Sequence, residues 1–590
     1  MTASKLADLR AELARRDLQG FLVPRADEHL GEYVAPGAER LAWLTGFTGS
    51  AGLAIVLADR AALFVDGRYV LQAATQTDPA LWERRHVTEE PPQAWLAEAL
   101  QHRPGARVGY DPWLIAEEGL QRFAEVGAAM VPTEPNPIDM LWHDRPGPPL
   151  HPAEPHPLAY AGRGSAEKRE EVAAMLRAAR QDAAVLTDPA AVAWLLNIRG
   201  SDVPFTPFAL GFAILQADAT AALFMSPQKL PPATRAWLGN AVALHDRAAL
   251  PGALDALKGR RVRVDPATAP VWFAQRLRAA GAILTPGADP CLLPKASKNP
   301  VEQAGARAAQ LRDATALVRF LHWLEAAPGH ETELSAADRL LALRGELEEF
   351  RGESFPAISA AGEHGAIMHY RVGPESNRPI RADELYLIDS GAQFPDGTTD
   401  ATRTVWTGQG MPPAELRDRF TRVLKGHIAI ATLVFPLGAA GAHLDGFARH
   451  ALWQVGLDYD HGTGHGVGSY LSVHEGPVSL SRLAKPVPLA PGMILSNEPG
   501  FYAPGRFGIR LENLVLVQPA TLPDAGRPFL RFETLTLAPF DRRLIEPALL
   551  SLEEIAWIDT YHARVLAEVG PALAPEPRTW LAGACARLVG

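Results

Sequence analysis

Cysteine is nearly absent from this sequence: 590 residues contain two, Cys291 and Cys585. That excludes a disulfide scaffold and a thiolate-rich zinc site, and two thiols so far apart fit a reducing compartment. Long apolar runs are missing as well. The longest, such as 51–58 and 190–196, fall far short of the ~20 residues that a membrane span needs, and residues 1–27 are rich in charge without the apolar core of a secretory signal. Nor is positive charge in excess. Lys and Arg number 57 against 67 Asp and Glu, a net −10, the wrong sign for a chain that neutralises phosphate backbones with clustered cations. With 47% hydrophobic and 21% charged residues, the composition is globular and excludes a disordered, collagen-like or coiled-coil chain. The expectation is a cytoplasmic protein with no nucleic-acid and no membrane partner.

At roughly 150 residues per domain the length suggests about four domains, but a faint repeat reduces that number. Ala42-Trp43-Leu44 and Gly49-Ser50 recur as Ala193-Trp194-Leu195 and Gly200-Ser201; 61–64 recurs at 221–224, and 107–112 at 261–266. The offsets are 151, 160 and 154 residues with the order kept, which predicts two copies of one α/β domain, too long for a solenoid repeat. Short apolar runs at 53–57 and 62–65 predict strands, and the spacing of Leu6, Leu9 and Leu13 predicts a helix. Prolines between 146 and 157 mark a linker. A second boundary lies near 294–300, followed by a helix over 301–323. From Ser354 onward glycine-rich turns and strands dominate.

The unusual polar clusters lie in this last part. The run 385–391 predicts a buried strand ending at Asp389, and a Gly/Asp turn leads to a second β-like run starting at Asp400. A hairpin would bring the two carboxylates together, where they repel unless a cation or proton lies between them; a polar turn with solvated aspartates is the alternative. The stretch His461-Gly462-Thr463-Gly464-His465-Gly466-Val467-Gly468 precedes His474. Its glycines argue against a helix, and it lacks the Gly-Lys-Ser/Thr of a phosphate loop. It reads either as a tight turn with surface histidines or as a flexible loop that offers imidazoles for metal ligation or oxyanion stabilisation. A strand over 492–497 ends at Glu498. In 508–517 strand alternation puts Arg510 and Glu512 on one face, as an ion pair or as an oriented metal ligand. Together, four carboxylates and one imidazole make a hard, oxygen-rich set that suits Mn²⁺, or less selectively Co²⁺ or Zn²⁺, in a two-metal site.

With their surroundings, these residues resemble the pita-bread metallopeptidases. His369-Tyr370, 396–400, 461–468, Val473-His474-Glu475-Gly476-Pro477 and Glu498-Pro499-Gly500 are similar to the words of the Xaa-Pro aminopeptidase family in its three-domain form. The resemblance implies two creatinase-like N-terminal α/β domains, 1–147 and 148–297, ahead of a pita-bread catalytic domain, 298–590. It implies Asp389 on one metal, His465 and Glu498 on the other, and Asp400 and Glu512 bridging both. A hydroxide held between the metals would attack the Xaa-Pro bond. Glu498 would also shuttle its proton, His461 and His474 would hold the substrate carbonyl and oxyanion, His369 would shape the proline-side pocket, and Arg510 would orient ligand carboxylates. Two divalent ions, Mn²⁺ first, peptide substrates with proline in second position and a homodimer complete the expectation. The alternatives are an Xaa-Pro dipeptidase, which usually carries one N-terminal domain, and a non-catalytic pita-bread binding module, in which ligand positions are typically lost.

Overall fold

The repeated segments of the front half occupy equivalent places in two sheets of identical topology. The computed structural model describes residues 2–103 and 105–588. In the first copy, β1 (Gly20–Pro24), β2 (Leu53–Leu57), β3 (Ala61–Val65), β4 (Glu83–His86), β5 (Arg107–Tyr110) and β6 (Ala129–Pro132) lie in the order β4-β3-β2-β1-β5-β6. In the second, β7 (Ala183–Leu186), β8 (Phe212–Gln216), β9 (Ala221–Phe224), β10 (Val242–His245), β11 (Arg261–Val264) and β12 (Ile283–Pro286) lie in the order β10-β9-β8-β7-β11-β12. Parallel and antiparallel pairings match strand for strand. Two of the three sequence matches are therefore β3 with β9 and β5 with β11. Their apolar residues are buried because helices cover the sheet, as α/β layering demands.

The chain forms two compact units: 1–157 with 163–292, and 158–162 with 293–590. The longest helix of the second unit is α1 (Pro300–Leu324). Asn299 caps it through the amides of Val301 and Glu302 while Glu302 returns a bond to the Asn299 amide, and Pro300 sits where no donor is lost. A three-stranded sheet holds β13 (Ile358–Ala361), β14 (Leu385–Ser390) and β15 (Ala401–Trp406). The larger sheet runs β16-β23-β22-β19-β17-β18, built from β16 (Val434–Pro436), β17 (Gly464–Gly466), β18 (Glu475–Leu480), β19 (Ile494–Asn497), β22 (Asn513–Ala520) and β23 (Phe529–Thr534); β20 (Gly500–Ala503) and β21 (Phe507–Arg510) form a hairpin beside it. Helices α2 (Ala414–Ala431), α3 (Asp445–Trp453) and α4 (Leu552–Val569) follow in chain order. Cys585 packs into the apolar core of this unit, where burial pushes its thiol up to about 12. Neither Cys585 nor Cys291 forms a disulfide and both are buried, so they act as small hydrophobes. No helix among the described residues is long and apolar enough to cross a membrane.

Three local expectations change. The segment 461–468 is not a flexible loop throughout, because 464–466 is strand β17. A Cβ on Gly464 would overlap the Ser496 carbonyl, and one on Gly466 the Glu475 carbonyl; these glycines permit close strand contact rather than motion. The strand expected over 508–517 is broken at Leu511 and Glu512, where the Glu512 amide turns to the Thr402 carbonyl (3.1 Å). Asp389 and Asp400 are not joined by a simple hairpin either: 392–394 and 397–398 leave to pair in another small sheet before the chain returns as β15.

One buried group of this unit gives a pH prediction. His427 on α2 donates from Nδ1 to the Leu511 carbonyl (3.2 Å) and accepts at Nε2 from the Asn513 amide (3.1 Å). That amide cannot flip, because its oxygen accepts from Arg403 (2.7 Å). Burial and the Arg403 charge hold His427 down to about 3, and burial does the same to His562. The unfolded chain therefore takes up these protons first. Stability is intact above the ordinary histidine value near 6.5 and is lost as pH falls toward 3, by up to about 1.4 kcal/mol per pH unit for each histidine. Denaturant melts from pH 7 to pH 4 check this; unchanged stability down to pH 5 would contradict it.

Candidate active site

The candidate ligands come from strand ends that meet where the two sheets of the second unit converge. Asp389, in β14, pairs in register with Thr402 of β15, and Asp400 immediately precedes β15. His465 is the centre of β17, Glu498 follows β19, and Glu512 lies in the break between β21 and β22. One ligand atom each from Asp400, His465 and Glu512 lies within 4.8 Å of the others. His465 Nε2 stands 3.4 Å from Asp400 Oδ2 and 3.4 Å from Glu498 Oε1.

The hydrogen bonds fix how these groups face. His465 Nδ1 donates to the Gly466 carbonyl (3.0 Å), which leaves Nε2 turned to the carboxylates. The Ser496 hydroxyl donates to Glu498 Oε1 (2.9 Å) and accepts from the His465 amide (2.9 Å). Thr402 donates to Glu512 Oε2 (2.7 Å). Arg510 does not pair with its near neighbour Glu512; its Nη2 binds Asp389 Oδ2 (2.7 Å), 121 residues away, and its Nε reaches the Thr402 hydroxyl (3.3 Å). Asp389 Oδ1 is buried with no hydrogen-bond partner among the described residues.

Electrostatically the set wants a cation. Burial raises Asp389 above its ordinary value against the pull of Arg510, while burial and mutual repulsion raise Glu512 well above its own and push Glu498 up to about 6. Burial works against the His465 imidazolium, yet Asp400 and Glu498 outweigh it and hold the ring up at about 9. Four acidic groups around one imidazole, with an orphaned carboxylate oxygen, are the donor set of a divalent metal centre. A metal there would supply the positive charge that protons otherwise provide.

The remaining residues divide. His474 lies edge-on to His465, ring centroids 4.4 Å apart. His461 is held down to about 3 by burial and by Arg510. Its Nδ1 donates to the Gly462 carbonyl (2.8 Å), so Nε2 accepts from the Tyr502 hydroxyl (2.9 Å), which itself accepts from Arg510 Nη1 (2.7 Å). Tyr502, Thr402 and Ser496 escaped the sequence reading; their signal was the two-residue strand spacing, Thr402 from Asp400, Ser496 from Glu498 and Tyr502 from Gly500. His369 is half-buried next to Tyr370, whose hydroxyl donates to the buried Glu333 (2.9 Å).

Comparison with known proteins agrees with this architecture. The family model for the creatinase/prolidase N-terminal domain matches residues 5–141, and a second model of the same description matches 144–302. The model for metallopeptidase family M24 matches 304–519 and that for its C-terminal region 528–588. A probable Xaa-Pro aminopeptidase P of Aspergillus fumigatus is 40% identical over 96% of this chain and 89% of its own length. Aminopeptidase P2 of Arabidopsis thaliana is 39% identical over 94% and 84%. The crystal structure of an X-prolyl aminopeptidase from Caenorhabditis elegans, described as a cytosolic enzyme with a di-nuclear active site, superposes with a TM-score of 0.93 at 34% identity, covering 100% of both chains.

Proposed function

The chain belongs to metallopeptidase family M24, with creatinase-type N-terminal domains and a pita-bread catalytic domain, and from that premise we propose how its site works. It is an Xaa-Pro aminopeptidase, a hydrolase that releases the residue preceding proline at a peptide N-terminus. The observation that carries this is the convergence of Asp400, His465 and Glu512 within 4.8 Å in a chain so similar to named Xaa-Pro aminopeptidases along its whole length. The ligand set we propose is Asp389, Asp400, His465, Glu498 and Glu512, holding two divalent ions, with Mn²⁺ as the working metal and Co²⁺ or Zn²⁺ as substitutes. Such ions supply Lewis acidity toward the scissile carbonyl and acidify water.

The protein's own groups do the rest. Glu498, steadied by Ser496, carries the proton from the attacking water toward the proline nitrogen, a leaving group that must be protonated to depart. His474 donates to the carbonyl oxygen as negative charge develops on it. His461 joins only by leaving Tyr502 and moving its ring proton from Nδ1 to Nε2, since Nε2 now accepts from that hydroxyl. Arg510 fixes the orientation of Asp389, and His369 borders the pocket for the proline ring. That ring has no N–H to offer, so rigidity and shape replace a hydrogen bond in recognition.

The division at 147 and 297, a cytoplasmic location and a homodimer belong to the same reading. The dimer is supported by two large apolar side chains exposed on α3, Phe447 and Trp453, and sedimentation of the intact chain decides it. The catalysis is tested with a peptide panel. Arg-Pro-Pro should be cleaved after Arg, with activity rising on addition of Mn²⁺ to chelated protein, and an N-acetylated copy should resist. Cleavage of Xaa-Pro dipeptides alone would make the protein a dipeptidase; no turnover with any metal would leave a binding module.

A further inference from the structure

We propose that Glu475, clamped between Lys295 and Lys298, is a positioning residue that sets the place of His474 in the active site. This rests on the oxyanion role given to His474 above. The three side chains are each no more than 3% exposed, with Lys295 Nζ 2.7 Å from Glu475 Oε2 and Lys298 Nζ on Oε1. Two ammonium groups on one carboxylate, all out of water, are a poor way to gain stability, because their desolvation costs as much as their attraction returns. Placement is the better reason for them.

The backbone shows what is placed. Glu475 starts β18 and pairs with Gly466, while His465 pairs with Ser479, so the register breaks between the metal-facing histidine and its neighbour. His474 immediately precedes β18 and its ring faces His465, while the next side chain, Glu475, reaches the lysines. A Cβ on Gly468 would sit 3.2 Å from Glu475 Oε2, which places the carboxylate against Gly468. On the other side, the Lys298 amide donates to the Gly492 carbonyl (3.0 Å), at the turn that leads into β19 and Glu498. The clamp therefore joins 295–298, the start of β18 next to His474, and the approach to Glu498. Its failure would move a hydrogen-bond donor, not remove a ligand.

A mutant cycle tests this in the metal-loaded protein. Glu475→Asp keeps the charge and shortens the reach. It should lower kcat about 10- to 100-fold, as displaced supporting groups do, with KM within about twofold and metal content unchanged. The His474→Ala loss should be as large or larger, and the double variant should match His474→Ala alone. If the two losses multiply instead, the positioning role is overturned while the reading of His474 stands. If His474→Ala turns over like the parent, that reading itself fails. Should Glu475→Asp not fold, Lys298→Arg, which keeps the charge but moves it, takes its place in the same cycle.

Discussion

Glu498→Gln should reduce kcat on the order of 10³-fold while leaving the fold at least as stable. General acid–base groups contribute roughly 10²–10⁴ in rate, and an amide cannot carry a proton from water to a leaving nitrogen. The stability half follows from the electrostatics. Glu498 is buried among Asp400, Asp389 and Glu512, and burial with that repulsion pushes it up to about 6. Removing one charge relieves the others. The Gln side chain is nearly isosteric and can still accept from Ser496, which now donates at 2.9 Å. Turnover of a proline-second tripeptide, metal content and a melting curve are needed together. Near-parental turnover at full metal content would remove Glu498 from the chemistry. Loss of activity together with loss of metal would reduce it to a ligand.

The candidate ligands were readable in the sequence because carboxylates and histidines stand out beside short apolar runs and turns, as with Glu498-Pro499-Gly500. The repeated domain was readable because β3 and β9, or β5 and β11, are buried strands whose residues are constrained by packing. Long-range pairings were less legible. Nothing local says that Arg510 prefers Asp389 to Glu512; the choice is made by the break at Leu511, which turns the Glu512 carboxylate toward Thr402. The glycines of 461–468 suggested motion because a sequence shows their freedom but not the carbonyls that press against them. The Lys295–Lys298–Glu475 cluster was invisible for a related reason. Lysines near a helix start usually face water, and only the fold reveals a carboxylate about 180 residues away as their partner.

The largest expected loss of stability is at Arg403, next to the active site but outside the chemistry. Its guanidinium is 0% exposed and donates to the carbonyls of Thr402 (2.8 Å), Glu512 (2.6 Å), Ala538 (2.8 Å) and Pro539 (3.1 Å), and to Asn513 Oδ1 (2.7 Å). The Phe540 ring covers it at 4.5 Å, and Tyr561 from α4 closes the cage at 3.1 Å. Here backbone carbonyls, not a carboxylate, satisfy a buried cation. Helix α4 is thereby tied to β15 and to the segment that bears Glu512. In Arg403→Met the Glu512 and Pro539 carbonyls lose their donor, while the Thr402 carbonyl keeps the Glu512 amide and the Ala538 carbonyl keeps the Tyr561 hydroxyl; each buried orphan costs about 1–3 kcal/mol, so a loss of about 2–6 kcal/mol for the second unit is expected. Arg403→Lys should fall between, because an ammonium has three donors where the guanidinium has five. Urea unfolding followed by tryptophan fluorescence measures both, and metal affinity should weaken in step because the Glu512 carbonyl is released. A Met variant as stable as the parent would show that water reaches these carbonyls and that the α4 tie contributes little.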